Sequence, residues 1–172
     1  PGTTFQRLFS QRSREADSVD LWQKEKVFLR LLERNQEGPI IKTFAGCPTP
    51  NGDIHLGHAL NGAIKDIILR FRLMSGHYMD FRPTWDCHGL PLEKKALEAI
   101  GKGRKDVSAA ELENVCRAFA TEFVARQRSS FQRLGFLGRW EEPVLTMDPP
   151  YQAHILRGFS DLIRRGYIEL RK

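Results

Sequence analysis

Apolar positions along the chain alternate between helical spacing and short unbroken runs, with polar or glycine-containing segments between them. Spacings of three and four residues predict helices over residues 18–35, 59–74, 90–98, 108–134 and 148–165. Short apolar runs that are typical of strands cover residues 39–45, 78–82 and 167–170. A strand, a helix and a second strand within 50 residues predict the first half of a Rossmann-like, doubly wound α/β fold with a parallel sheet, rich in helix.

Each helix is expected to bury its apolar stripe in the core. In the helix over residues 59–74 Lys65, Arg70 and Arg72 are expected to point elsewhere. Residues 39–45 show little alternation, which indicates a strand buried on both faces. The predicted core positions of three helices are Leu60, Ile64, Ile67, Ile68 and Phe71; Leu112, Val115, Phe119, Phe123, Val124 and Phe131; and Ile155, Leu156, Phe159, Leu162 and Ile163.

Two loops, residues 46–58 and 83–93, leave the first two predicted strands at the same edge of the sheet. Ligands bind at that edge in such folds, so the two loops should face one crevice. His55 and His58 are three residues apart at the start of a helix, where both can reach one ligand. Gly57 between them lacks a Cβ, so a ligand can approach the backbone closely. A glycine-bearing loop before a helix N-terminus indicates a nucleotide phosphate site.

The segment at residues 55–58 resembles the His-x-Gly-His signature of class I aminoacyl-tRNA synthetases. The tetrapeptide alone is weak evidence, but its context is specific. Asn-Gly-Asp-Ile precedes it, Ala-Leu-Asn and Lys-Asp-Ile follow it, and Trp-Asp-Cys-His-Gly-Leu-Pro lies at residues 85–91, as in the isoleucyl member. The resemblance continues to residue 172 and implies that residues 18–172 form the N-terminal half of a class I catalytic domain.

This resemblance implies an enzyme that joins the carboxylate of isoleucine to the α-phosphorus of ATP, bound with Mg²⁺, and passes the acyl group to tRNA. It implies His55 and His58 as catalytic residues, and assigns Asp86 to the ammonium group of the amino acid. A carboxylate suits that task, although a loop turn is the alternative for Asp86. The implied ATP-binding residues are Asn51, Gly52, His55, Gly57 and His58, and the implied amino-acid-binding residues are Gly46, Cys47, Trp85 and Asp86.

The chain also departs from the family pattern. Residues 45–50 read Ala-Gly-Cys-Pro-Thr-Pro where the family has Asp-Gly-Pro-Pro-Tyr-Ala, and Thr84 replaces a glycine. The second class I signature, Lys-Met-Ser-Lys-Ser, does not occur. Two hypotheses follow: a catalytic portion that is active with the remainder of the synthetase, or a synthetase-derived structural or RNA-binding subunit of a larger assembly, such as an organellar ribosome. An independent nucleotide-binding module is a weaker third hypothesis.

The net charge of +6 and pI near 9.5 favour polyanionic partners such as tRNA or rRNA, although a solvated basic surface explains them equally well. Residues 1–17 are rich in arginine and serine and are acid-poor up to Arg14, which indicates a basic arm or the remnant of a transit peptide. A mitochondrial or other organellar matrix is therefore favoured over the cytoplasm.

Three cysteines without paired spacing disfavour a disulfide framework and fit a reducing compartment. A metal site formed by Cys47, Cys87 and His88 is not favoured, since Cys-x-x-Cys spacing is missing. No apolar run approaches the roughly 20 residues that span a bilayer, so no membrane partner is expected.

Overall fold

The computed structural model describes residues 11–43 and 46–171, with side chains from residue 14 onward. Within these residues it contains six α-helices, one 3₁₀ turn and two short strands. In chain order they are α1 (Gln11–Lys24), α2 (Val27–Arg34), α3 (Leu56–Met74), β1 (Thr84–Trp85), α4 (Leu90–Ala99), the 3₁₀ turn (Arg104–Asp106), α5 (Ala109–Arg133), β2 (Val144–Leu145) and α6 (Pro149–Arg164).

The sheet is parallel and is centred on residues 78–86. Strand β1 pairs with β2, with Thr84 opposite Val144 and Trp85 opposite Leu145. On the other side of residues 78–86, Ile40 forms a parallel bridge with Tyr78, and the Asp86 N–H donates to the Pro48 carbonyl at 3.0 Å. The chain therefore lies alongside residues 78–86 at residues 39–41 and again at Pro48, as the strand–helix–strand prediction requires. The result is a helix-rich α/β fold with a small parallel sheet.

The sequence prediction of the strands was only partly correct. The predicted strand over residues 39–45 is reduced to the bridge at Ile40, and residues 44–45 lie outside the described part of the chain. Ile40 is 69% exposed, so burial on both faces was wrong. Residues 167–170 are not a strand, and Leu170 is fully exposed, because no neighbouring strand in the described chain pairs with them. The predicted strand over residues 78–82 is reduced to the bridge at Tyr78, and neither β1, which lies in the predicted loop 83–93, nor β2 had been predicted.

The first predicted helix, over residues 18–35, is two helices. Lys26 adopts a left-handed backbone conformation with φ 48° between α1 and α2, which breaks the helical hydrogen-bond ladder. The break lets α2 turn Phe28 and Leu32 into a cluster with Leu69 and Leu73 of α3 and with Met79. Most of the predicted basic arm, residues 1–17, lies outside the described residues, although Gln11 already begins α1.

The apolar stripes of α3 and α6 are exposed, contrary to the sequence prediction. The buried residues of α3 are Leu69 and Leu73, and no residue of α6 is buried. The helices were correctly located, but the faces that they turn to the core were not, since the elements that cover a stripe decide which face is buried. The exposed stripe residues are Leu60, Ile64, Ile67, Ile68 and Phe71 on α3, and Ile155, Leu156, Phe159, Leu162 and Ile163 on α6.

The main core lies between the sheet and α5. Helix α5 is capped by Ser108, whose hydroxyl accepts from the Glu111 N–H at 3.2 Å. Of the predicted core positions on α5, three are buried and three are half-buried; Ala120 and Gln127, which had not been predicted, are fully buried. The core cluster consists of Trp85, Cys87, Leu92, Ala120, Val124, Phe131 and Met147.

A polar contact joins α3 to the turn that follows α5. Asp66 accepts from the Leu137 N–H at 2.8 Å and forms a salt bridge with Arg70, which donates to the Gly135 carbonyl. The Arg70 guanidinium also lies over the Trp22 ring of α1, so Trp22 packs against α3. These contacts fix the orientation of α3, and with it the position of the loop that precedes α3.

Among the described residues, no helix is both long and apolar enough to cross a membrane.

Candidate active site

The start of α3 is formed by the two histidines that the sequence singles out. His55 is the N-cap, and its Nδ1 accepts from the Gly57 N–H at 3.1 Å. In return, the His55 N–H donates to Nδ1 of His58 at 3.3 Å. The two imidazole rings are stacked, with their centroids 3.9 Å apart and an interplanar angle of 23°. The histidines thus satisfy two backbone N–H groups that a helix N-terminus would otherwise leave without partners.

This cap selects the tautomer of each neutral ring. Because each Nδ1 accepts a hydrogen bond from the backbone, each neutral imidazole carries its proton on Nε2. Partial burial, and to a smaller extent the neighbouring His55, lower the pKa of His58 below its ordinary value of 6.5. The pair therefore presents Nε2–H donors beside a helix N-terminus at neutral pH, which is an arrangement suited to an anion.

The reason for a glycine at position 57 differs from the sequence interpretation. A Cβ on Gly57 would lie 2.9 Å from Cε1 and 3.0 Å from Nδ1 of His55. The space that the glycine provides is therefore filled by the His55 ring and is not left for a ligand. At Gly46 and Gly52, by contrast, a Cβ would meet no heavy atom within 4 Å, so both backbone segments are open.

A cavity of about 390 Å³ lies between α3, the sheet and the segment after α5. Its lining includes six of the predicted site residues: Gly46, Cys47, His55, Gly57, His58 and Trp85. The wall away from the histidines is apolar and includes Leu69, Met79 and Phe136. The predicted residues Asn51, Gly52 and Asp86 do not line this cavity. Trp85 is 1% exposed and belongs to the main core, and its predicted role in amino-acid binding remains a prediction.

Lys65 lines the same cavity and was missed by the sequence interpretation, which placed it on another face. Partial burial lowers the pKa of Lys65, while the nearby Cys47 opposes the shift. Burial and the charge of Asp86 raise the pKa of Cys47. Lys65 and Asp86 therefore each lie within electrostatic reach of Cys47. The spacing of seven residues from His58 to Lys65, two turns of helix, is the sequence signal that would have revealed the cation.

Thr146 makes two contacts that hold the loop carrying Asp86. The Cys87 N–H donates to the Thr146 hydroxyl at 2.8 Å, and Nε2 of His88 contacts the Thr146 carbonyl at 3.0 Å. The Asp86 side chain is exposed, and its Oδ1 is 3.4 Å from the His88 N–H, a long contact typical of a loop turn. The carboxylate therefore lies at the surface next to Pro48 and Cys47, where it can meet a cation.

The two loops do lie together, as the sequence analysis expected. The Asp86 N–H bonds to Pro48, and the buried Gln127 of α5 contacts both loops. Arg126, its neighbour on α5, forms an exposed salt bridge at 2.8 Å with Asp53 of the first loop. In the described part of the chain, no group of three or more histidine, cysteine or acidic side chains is arranged to hold a metal ion.

Comparison with known proteins identifies the context of this site. The family model described as tRNA synthetases class I (I, L, M and V) matches residues 17–172. The chain is 36% identical over 168 residues to an isoleucine–tRNA ligase of Caldicellulosiruptor saccharolyticus and 39% identical to that of Bacillus subtilis. Each alignment covers 98% of this chain and 18% of the relative, so the chain spans about one fifth of the length of these ligases.

A solved structure shares the fold. The chain is similar to the LeuRS agnB2 of Agrobacterium radiobacter K84, crystallised as a ternary complex with tRNA and LeuAMS. The TM-score is 0.72 at 23% identity, and the match covers 92% of this chain and 18% of that protein. At this identity the likeness concerns the fold alone.

Proposed function

This chain belongs to the class I tRNA synthetases, in the group for isoleucine, leucine, methionine and valine, and we propose that it supplies the phosphate-binding half of the active site of an isoleucine–tRNA ligase. It corresponds to the N-terminal part, about 18% of the length, of the isoleucyl enzymes. In this proposal ATP and isoleucine are the substrates of the first step, and tRNA is the acceptor of the second.

The observation that carries the proposal is the reciprocal cap of His55 and His58. In the activation step an oxygen of the isoleucine carboxylate forms a bond to the α-phosphorus, and the bond to the bridging oxygen breaks to release pyrophosphate. The added charge collects on phosphoryl oxygens and must be met by donors that are already oriented. Two imidazoles whose Nδ1 atoms are held by the backbone offer such donors through Nε2. The α3 N-terminus lies directly behind them.

The residues fit a triphosphate better than they fit its metal ion. The donor set of two imidazoles, a helix N-terminus and Lys65 is complementary to phosphate oxygens. No residue of the described chain is assigned to Mg²⁺, which would arrive bound to ATP. Predicted contacts from the open backbone at Asn51 and Gly52 belong to the same proposal.

The amino-acid end of the site is proposed to lie at Asp86. Its exposed carboxylate is close enough to Cys47 to raise the pKa of that thiol, and it lies beside the first loop. A carboxylate in that position binds the α-ammonium group of isoleucine by a charge-assisted hydrogen bond. The open backbone at Gly46 and Cys47 would contribute the neighbouring contacts. Cys47 stands where the family has proline, and its thiol lines the cavity between the two ends of the site.

The exposed stripes of α3 and α6 support a function within a larger unit. All ten predicted stripe residues of the two helices are exposed, far more than scattered surface positions explain. Ile40 at the sheet edge is exposed as well. We propose that the remainder of a synthetase covers these surfaces and completes the ATP site.

The alternative function, a structural or RNA-binding subunit of an organellar ribosome, gains no support from the relatives described above, which are synthetases. The basic net charge of +6 suits tRNA equally well. An organellar location, which residues 1–17 favour, remains part of the proposal.

The test is isoleucine-dependent exchange of pyrophosphate into ATP by a complemented enzyme. We define this as the present chain joined to the Bacillus subtilis ligase from which the matching segment has been removed. Exchange that requires isoleucine and is not supported by leucine is the expected result. If the complemented enzyme is inactive while the Bacillus segment, joined in the same way, restores exchange, the proposal is wrong.

A further inference from the structure

The side chain of Gln127 connects the two loops of the site from inside the core. Gln127 lies on α5, is 1% exposed and is one of the few polar side chains that are buried in the described chain. Its Oε1 accepts from the indole Nε1–H of Trp85 at 2.9 Å. Its Nε2 donates to the carbonyl of Thr49 at 3.1 Å and to that of Gly52 at 2.7 Å.

These three bonds use every donor of the amide. Both hydrogens of Nε2 go to the histidine loop, three and six residues before His55, and the oxygen goes to the residue directly before Asp86. A buried amide with three partners is held in one orientation, since any rotation leaves a buried donor or carbonyl without a partner. A residue that served only to fill the core would not need polar contacts to both loops.

We propose that Gln127 is a positioning residue that sets the distance between the phosphate-binding loop and the Asp86 loop. It touches neither substrate. Instead, it transmits the position of α5 to both loops at once, so that the ATP end and the amino-acid end of the site move as one unit. This proposal rests on the proposed function for its effect on activity, but its structural consequence is independent of that function.

The substitution Gln127→Glu separates this role from packing. It keeps the size of the side chain and the acceptor for Trp85, but at neutral pH it removes both donors and places a carboxylate against two carbonyls. The matched control is Gln132→Glu, which makes the same change of charge five residues further along α5, at a half-buried position with no hydrogen bond to either loop.

The first measurement is hydrogen–deuterium exchange of the complemented enzyme, read from peptides that cover residues 46–58 and 83–90. We expect Gln127→Glu to raise exchange in both peptides together, and Gln132→Glu to leave them unchanged. The difference from the wild type at the same pH should shrink on acidification, because a protonated carboxyl regains one donor.

The second measurement is kcat/KM for ATP and for isoleucine in pyrophosphate exchange. A changed distance between the two loops should lower kcat/KM for both substrates, roughly 10- to 100-fold. An unchanged kcat/KM for both substrates with a lower melting temperature would overturn the proposal, as would increased exchange at residues 83–90 alone. If Gln127→Glu does not fold, Gln127→Met takes its place, because methionine keeps the volume of the side chain without its amide. This variant must also raise exchange in both peptides, and that increase must not shrink on acidification. If the wild-type complemented enzyme is inactive, the proposed function fails and the exchange measurement still decides the role of Gln127.

Discussion

The His55 N–H donates to Nδ1 of His58 while the two imidazole rings stack 3.9 Å apart. Each histidine therefore has two tasks at two different nitrogens. Nδ1 completes the helix cap, and Nε2 is left as the donor that a phosphate would meet. Because the tasks belong to different atoms, substitutions can separate them.

The substitutions His58→Asn and His58→Gln test this division. The asparagine oxygen can replace Nδ1 in the cap, but nothing replaces the Nε2–H, so we expect exchange activity to fall roughly 10²–10³-fold with little loss of stability. The glutamine amide can accept the His55 N–H, as in a capping box, and can also bring an N–H near the place of Nε2. We therefore expect it to keep more activity than asparagine, with a loss of stability of no more than about 1 kcal/mol. Pyrophosphate exchange and urea unfolding measure the two effects. The reverse ranking of activities would contradict the assignment of Nε2 as the donor.

Replacement of Gly57 by alanine should displace His55. The new Cβ would lie 2.9 Å from the His55 ring, so the ring must rotate and give up its bond to the position 57 N–H. We expect at least a tenfold loss of exchange activity, while thermal stability changes little because alanine favours the helix by up to about 1 kcal/mol. Gly158→Ala in α6 is the control, since a Cβ there meets nothing within 4 Å. Equal activity of the two variants would show that the His55 orientation is unimportant.

The lowered pKa of His58 predicts how stability and exchange activity change at acidic pH. Its value lies below 6.5 in the folded chain because burial disfavours the charged ring. The unfolded chain therefore binds more protons just below pH 6.5, so stability is retained above that pH and falls as the pH decreases towards the folded pKa. Protonation also places a hydrogen on Nδ1, where the His55 N–H needs an acceptor.

We expect the acid limb of pyrophosphate exchange to lie below pH 6.5, and NMR titration of the His58 ring to give the same midpoint. His58→Asn, which does not titrate there, should lose the NMR signal and flatten this limb. A His58 midpoint above 6.5 would contradict the burial effect.

More of the site than of the core could be predicted from the sequence. His55, Gly57 and His58 lie within four residues, and local spacing at a helix start was enough to bring them together. The relation between that loop and Asp86 also followed from a general rule on parallel sheets. Lys65 was missed because the apolar stripe of α3 was taken as its inner face, and Gln127 could not be found because its burial depends on which face of α5 meets the rest of the chain.

The apolar stripe of α3 illustrates the limit. Its spacing predicted the helix correctly, but the inner face of α3 carries His58, Lys65 and Leu69, whereas Ile64 and Ile67 are exposed. Hydrophobic spacing reports that a face will be covered and does not say by which segment. The strand over residues 167–170 failed for a related reason, since pairing depends on a neighbour that the described chain does not contain.

The contact between Asp66 and Arg70 predicts a stability effect away from the site chemistry. Asp66→Ala would leave the Nε–H of the half-buried Arg70 and the Leu137 N–H without their acceptor. We expect a loss of roughly 2–3 kcal/mol in the free energy of unfolding, measured by urea denaturation. The exposed pair of Arg164 and Asp161 provides the control, and Asp161→Ala should change stability by less than about 1 kcal/mol. Similar losses for both substitutions would show that the Asp66 contact is no more than a surface pair.

The exposed stripe of α3 predicts a difference between the isolated chain and the complemented enzyme. Ile67 is 66% exposed, so Ile67→Lys should leave the unfolding free energy of the isolated chain within about 0.5 kcal/mol of the wild type. In the complemented enzyme the same lysine would be placed against apolar side chains, where an unpaired charge is costly. We therefore expect the melting temperature and exchange activity of that enzyme to fall. Leu21→Lys on α1, also exposed, should affect neither protein. If Ile67→Lys is equally harmless in both, the remainder of the synthetase does not cover α3.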